Sequence, residues 1–105
     1  MIIINNNNIS LSRGNNAIID VTILKDGEPY TLATGEKIMF HVKRKDNFNN
    51  IIISKESTEN SFYIAPSDTA QLGLGGYVYS VTYYGNSGEI DTFITGEFNI
   101  LSEVG

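Results

Sequence analysis

The side chains able to do chemistry in this sequence are few. His41 is the one histidine and cysteine is absent, so a serine–histidine relay or a histidine-rich metal site has a single member, and thiolate ligands have none. His41, Lys43 and Lys45 alternate on the polar face of an extended stretch, where a solvated histidine is a simpler account than a ligand or a general base. Alternation sends Arg44 to the opposite face. Lys43-Arg44-Lys45 therefore reads as a solvated strand end, with contact to an acidic partner as the alternative. Twelve residues are acidic, yet no two are marked as the convergent pair that glycoside hydrolysis needs. Asp68 beside Thr69 has the look of a catalytic or metal carboxylate; Ser67, Asp68 and Thr69 are better read as side chains that satisfy free N–H groups in a short turn. Residues 46–50 fail as a calcium loop, because Phe48 stands where an oxygen ligand is required. The Gly73 to Gly76 run lacks the lysine and the helix of a phosphate cradle. The expectation is no catalytic residue, no cofactor and no metal.

Composition narrows the partners. The chain has 105 residues and a net charge of -5. That length suits one domain with a core of its own, and the charge is a poor match for a phosphate backbone, so nucleic acid is not expected as a partner. No apolar run approaches the roughly 20 residues of a membrane helix, and Met1-Ile2-Ile3-Ile4 is too short for a signal peptide and lacks a basic start. Asn8-Ile9-Ser10 matches the glycosylation sequon, a weak signal on its own.

The elements that would carry these residues are strands. Ala17, Ile19, Val21 and Ile23 share one face of a strand over residues 16–25, and Ile38, Phe40 and Val42 one face of a second over 36–45. Residues 46–50 read as a hairpin loop, followed by Ile51-Ile52-Ile53 running into Ser54-Lys55-Glu56, charges that suit a protected edge strand. Phe62-Tyr63-Ile64 is a short strand. A turn with Pro66 at its start and a loop with Leu72 and Leu74 lead into a central strand whose inner face is Tyr77, Tyr79, Val81 and Tyr83. Gly85-Asn86-Ser87-Gly88 is a hairpin turn, Gly96 a bulge or bend, and Phe98 and Ile100 close the last strand. No apolar period of 3.6 is long enough for a real helix. The prediction is an all-β fold, an antiparallel immunoglobulin-like β-sandwich of about seven strands.

Residues 1–8 are expected to be an N-terminal arm or short strand, and 9–105 a single sandwich domain. Tyr77, at the start of the central strand, is expected to bury its ring and bond its hydroxyl to the loop 66–74, as sandwich domains often do at that corner. Asp68 and Gly76 join it as structural residues. Most aromatics fall on core faces; Tyr30, Phe48, Tyr63 and Tyr84 are the surface candidates. Ile2, Ile3, Ile4 and Phe48 are the candidate protein contacts, the first three as an arm able to add a strand to a neighbour.

Two blocks carry a family likeness. One is Asp26-Gly27-Glu28-Pro29-Tyr30-Thr31-Leu32 leading to Gly35-Glu36-Lys37-Ile38-Met39-Phe40-His41-Val42-Lys43. The other is Pro66-Ser67-Asp68-Thr69-Ala70 through Leu72, then Gly76-Tyr77-Val78-Tyr79-Ser80-Val81, ending with Gly96-Glu97-Phe98-Asn99-Ile100. Over about residues 15–101 this succession resembles the N-terminal domain of baseplate upper proteins, and related tail domains, of phages infecting Gram-positive bacteria. The resemblance implies an architectural role in the virion, assembled in the host cytoplasm, with other tail or baseplate proteins as partners and a homo-oligomer, a trimer, as the working state. It brings no catalytic residues. Such proteins often continue into a longer C-terminal part, so a sequence stopping at Gly105 is expected to be a piece of a longer protein or a small stand-alone one. A carbohydrate-binding or adhesion module, and an inhibitor or enzyme-accessory domain with a protruding loop at 46–50, are the alternatives.

Overall fold

The computed structural model describes residues 2–5 and 8–102, with backbone only at 2–5, 25 and 47–49. Ten strands and one helical turn follow in order: β1 (Ile2–Asn5), β2 (Asn8–Ser12), β3 (Ala17–Asp20), β4 (Leu24–Lys25), β5 (Glu28–Pro29), β6 (Lys37–Arg44), β7 (Asn47–Ser57), β8 (Ser61–Ile64), α1 (Pro66–Thr69), β9 (Gly75–Tyr84) and β10 (Ile90–Leu101). The main sheet has six strands in the order β1-β2-β10-β9-β6-β7, and β3 pairs with β8 in a two-stranded sheet. The predicted all-β sandwich is what the structure shows. Its body is β2, β3 and β6 to β10, with β1 added at one edge and β4–β5 as a two-residue ladder.

Alternation decides which faces meet. Residues 38, 40 and 42 of β6, 77, 79 and 81 of β9, and 98 and 100 of β10 are all buried, against Ala17 and Ile19 of β3 and Phe62 and Ile64 of β8. Phe40 lies at the centre with no exposed surface. Its ring centroid is 5.5 Å from that of Phe62 across the sandwich, and 5.4 Å and 6.1 Å from those of Tyr79 and Phe98 on its own sheet.

Several local expectations need correction. The strand drawn over 16–25 ends at Asp20; Val21 stays buried, but its N–H goes to the carbonyl of Asn60 (2.8 Å), and the chain resumes pairing only at Leu24. The loop drawn at 46–50 is shorter, since β7 already begins at Asn47. Phe48 therefore belongs to a strand rather than a loop, and its side chain lies outside the described residues. The register shift in β10 falls between Thr92 and Ile94, whereas Gly96 sits in regular pairing with Tyr79. One ladder, β2 with β10, runs parallel; alternation reports faces, not strand direction, so the sequence carried no sign of it.

The edges are handled as the charges of β7 suggested. β7 is an outer strand of the main sheet. Lys55 pairs opposite the inward-facing Phe40, so its ammonium points toward the sandwich, where Asp68 meets it at 2.8 Å. An inward charge of this kind hinders another strand from docking along the edge. At the other edge, β1 pairs antiparallel with β2, so the predicted arm is a strand of its own sheet in this structure. The side chains of Ile2, Ile3 and Ile4 lie outside the described residues.

Candidate functional site

The residues singled out as structural gather at the corner between β8 and β9. Pro66 opens α1, and Asp68 reaches back to accept the N–H of Ala65 (2.7 Å) while pairing with Lys55. Ala65 has no side-chain oxygen to return the bond, so only half of a capping box is present. Thr69 is fully buried and its hydroxyl accepts the N–H of Gly14 (2.9 Å), tying the corner to the end of β2. Leu72 packs against the core whereas Leu74 is 53% exposed. Tyr77 is buried, and its hydroxyl donates to the carbonyl of Gly73 (2.8 Å), the contact its place at the head of the central strand led one to expect. At Gly76 a Cβ would stand 3.0 Å from the Lys45 ammonium. The bare backbone there leaves room for Lys45 to cross toward Glu97, 3.2 Å away.

The basic patch is dispersed. Lys45 goes to Glu97, Arg44 to Asp46 at 3.4 Å, and Lys43 stays half-buried on the outer face. His41 lies on that same face, opposite Ser80 and Ser54. Partial burial and the neighbouring Lys43 hold its pKa below the ordinary histidine value.

A concavity lies at the opposite end of β9. It is an open cavity of about 700 Å³ between the β4–β5 crossing and the β9–β10 hairpin. Glu36 forms its floor, a carboxylate only 7% exposed. The hydroxyls of Tyr30 and Tyr83 each donate to one of its oxygens, and the N–H of Ala33 donates to the same oxygen as Tyr30 (2.7 Å). Hydrogen bonding to this carboxylate raises the pKa of both tyrosines, more strongly for Tyr83, because losing the proton would set two anions face to face. Two neighbours fix the walls. The side-chain amide of Asn60 donates to the carbonyl of Tyr30 (2.9 Å) and its oxygen accepts the N–H of Leu32 (3.2 Å). Asn86 packs on Gly35, whose positive φ of 90° turns the chain into β6, and donates to the carbonyl of Thr34 (3.0 Å).

A signal for Glu36 was present in the sequence. It continues backward the inward row of Ile38, Phe40 and Val42, a carboxylate at a core position that demands partners. Tyr83, last in the inner row of the central strand, is one of them. Glu89, Asp91 and Phe93 complete the wall. The carboxylates do not converge as metal ligands do; among the described residues no group of three or more His, Cys, Asp and Glu is placed to hold an ion. No described helix is long and apolar enough to cross a membrane. Compared with protein families, curated proteins and solved structures, the chain finds no match.

Proposed function

We propose that this chain is a structural domain of a phage tail or baseplate, an adaptor that works through contacts with other virion proteins and with copies of itself. The observation that carries the contact role is the outer face of the two-stranded sheet. Ile18 and Tyr63 stand directly opposite each other in the β3–β8 ladder and are 63% and 52% exposed. A paired aliphatic and aromatic residue on a sheet of two strands is a surface that gains by being covered. The virion setting rests on the resemblance of the two sequence blocks. In the fold these blocks are β6 with its approach, the Asp68–Tyr77 corner, β9 and β10; the three strands are joined in one sheet, which could hold neighbours in place. Glu36, Asp68 and Asn60 hold segments of the chain to one another.

Mass spectrometry of purified particles tests the setting: the protein is expected among the tail or baseplate proteins, and its absence from particles despite expression of the gene would refute it. Ile18→Asp with Tyr63→Ser tests the face. The doubly substituted chain is expected to fold and to be lost from particles; unchanged incorporation would show that this face is not the contact. One observation favours a second reading, a carbohydrate-binding or adhesion module, because the exposed ring of Tyr63 is the kind of surface on which a sugar stacks. Binding of a purified cell-wall polysaccharide that Tyr63→Ala abolishes would favour that reading.

A further inference from the structure

The cavity above Glu36 is unbalanced in its hydrogen-bonding capacity. Tyr30 and Tyr83 donate inward to Glu36, and Asn86 gives its amide to the carbonyl of Thr34. The other polar groups on the wall are the hydroxyl of Ser87, which can donate once, and the carboxylates of Glu89 and Asp91, which only accept. No lysine or arginine stands among the described residues that line it. The ion pairs of Lys37, Arg44, Lys45 and Lys55 are made elsewhere, with Glu56, Asp46, Glu97 and Asp68. Among the described residues neither Glu89 nor Asp91 has an ion-pair partner. The remaining walls are the rings of Tyr30, Tyr83 and Phe93 and the aliphatic chains of Ile23 and Leu24.

We propose that this cavity receives an arginine side chain from an extended segment of a partner protein. A guanidinium carries donors and no acceptor, stacks on aromatic faces and takes carboxylates two bonds at a time, which matches acceptors set among rings. The methylene stem of the arginine lies on Ile23 and Leu24. A neutral sugar requires donors as well as acceptors, and against two carboxylates this wall sets the single hydroxyl of Ser87. A bare metal ion requires converging ligands, and these carboxylates do not converge. The inference rests on the reading of the chain as a protein-contact domain and supplies the chemistry of one contact.

The test is a heteronuclear NMR titration of the whole chain with three probes: a blocked Gly-Arg-Gly peptide, the same peptide with citrulline for arginine, and N-acetylglucosamine. The arginine peptide is expected to shift the resonances of residues 83 and 89–93 with an affinity of roughly millimolar, as a contact of so few atoms allows. Added salt should weaken it. Citrulline, isosteric and uncharged, should bind about tenfold less tightly or not at all. Glu89→Gln with Asp91→Asn, both surface positions, should reproduce that loss while leaving the rest of the spectrum in place. Equal binding of the arginine and citrulline peptides, or undiminished binding by the double variant, would overturn the proposal. Shifts with the sugar alone would overturn it and favour the carbohydrate reading. A null titration together with the protein's presence in particles would remove this site and leave the virion reading standing.

Discussion

Replacing Phe40 with alanine tests whether the sandwich is built around this ring. The side chain is wholly buried, and returning a phenylalanine to water forfeits about 1.5–3 kcal/mol of transfer free energy. Three ring pairs, with Phe62, Tyr79 and Phe98, vanish with it; each such pair is worth roughly 0.5–1.5 kcal/mol beyond area burial. The hole would be bounded by two sheets whose separation is held by the surrounding ladders, so it cannot collapse fully, and the total falls at about 3–5 kcal/mol, where deletions of buried rings lie. A domain of this length has on the order of 5–15 kcal/mol in all, so the midpoint of thermal unfolding should drop by something like 20 °C. Phe40→Leu, which keeps most of the apolar volume, should cost only about 1–2 kcal/mol. Guanidinium chloride unfolding followed by far-UV circular dichroism measures both. A cost below about 1 kcal/mol for the alanine variant would refute the claim that the two sheets are joined through this residue.

Other consequences can be checked with the same equipment. Tyr77→Phe removes the bond to the carbonyl of Gly73 and should destabilise by about 1 kcal/mol; an unchanged denaturation midpoint would show the bond to be worth nothing. Asp68→Ala deletes both the bond to the N–H of Ala65 and the partner of Lys55, and should cost about 1–2 kcal/mol; double-mutant cycles with Lys55→Ala would separate the two. The raised pKa of Tyr83 means the folded state holds this proton more tightly than the unfolded one. Its contribution is therefore fully present below the unfolded value of 10.0 and is lost as the pH climbs from there toward the folded value. Alkaline unfolding should set in from about pH 10, and Tyr83→Phe should flatten that dependence; identical alkaline profiles would argue against the Tyr83–Glu36 bond.

The fold was legible wherever one face of a strand is buried. The alternation of Ile38, Phe40 and Val42, and of Tyr77, Tyr79 and Val81, is written directly in the sequence because the period of a strand is 2. The corner was legible too, since proline at a helical start and a tyrosine at the head of a strand have local geometric reasons. What escaped depends on distant partners. The end of β3 at Asp20 follows from Asn60, which captures the N–H of Val21 from 39 positions away, and its side chain then fixes the segment at Tyr30 and Leu32. The cavity escaped for a related reason. Glu36, Tyr30, Tyr83 and Asp91 come from four separate segments, and only Glu36 breaks a local pattern. The exposure of Ile18 was foreseeable from alternation with Ile19; that Tyr63 stands opposite it was a matter of register.

The parallel ladder between β2 and β10 determines how the molecule carries mechanical load. Ile2 lies opposite Leu11 and Leu101 opposite Ser12, so both ends of the sheet's described chain sit at one end of this ladder. Tension between them first peels β1 away from β2, breaking bonds in succession. Once β1 is gone the pull enters β2 at Asn8 and leaves β10 at Leu101, at opposite ends of a parallel pair, so its bonds are strained together rather than one after another. Stretching a single molecule by its termini should accordingly show a soft release followed by a stiff resistance, and rupture in the second stage is governed by the unfolding barrier rather than by the equilibrium stability. A chain linked to neighbours at its two ends would thus behave as a strut fitted with a short slack segment, and a smooth extension without the second stage would contradict the parallel arrangement.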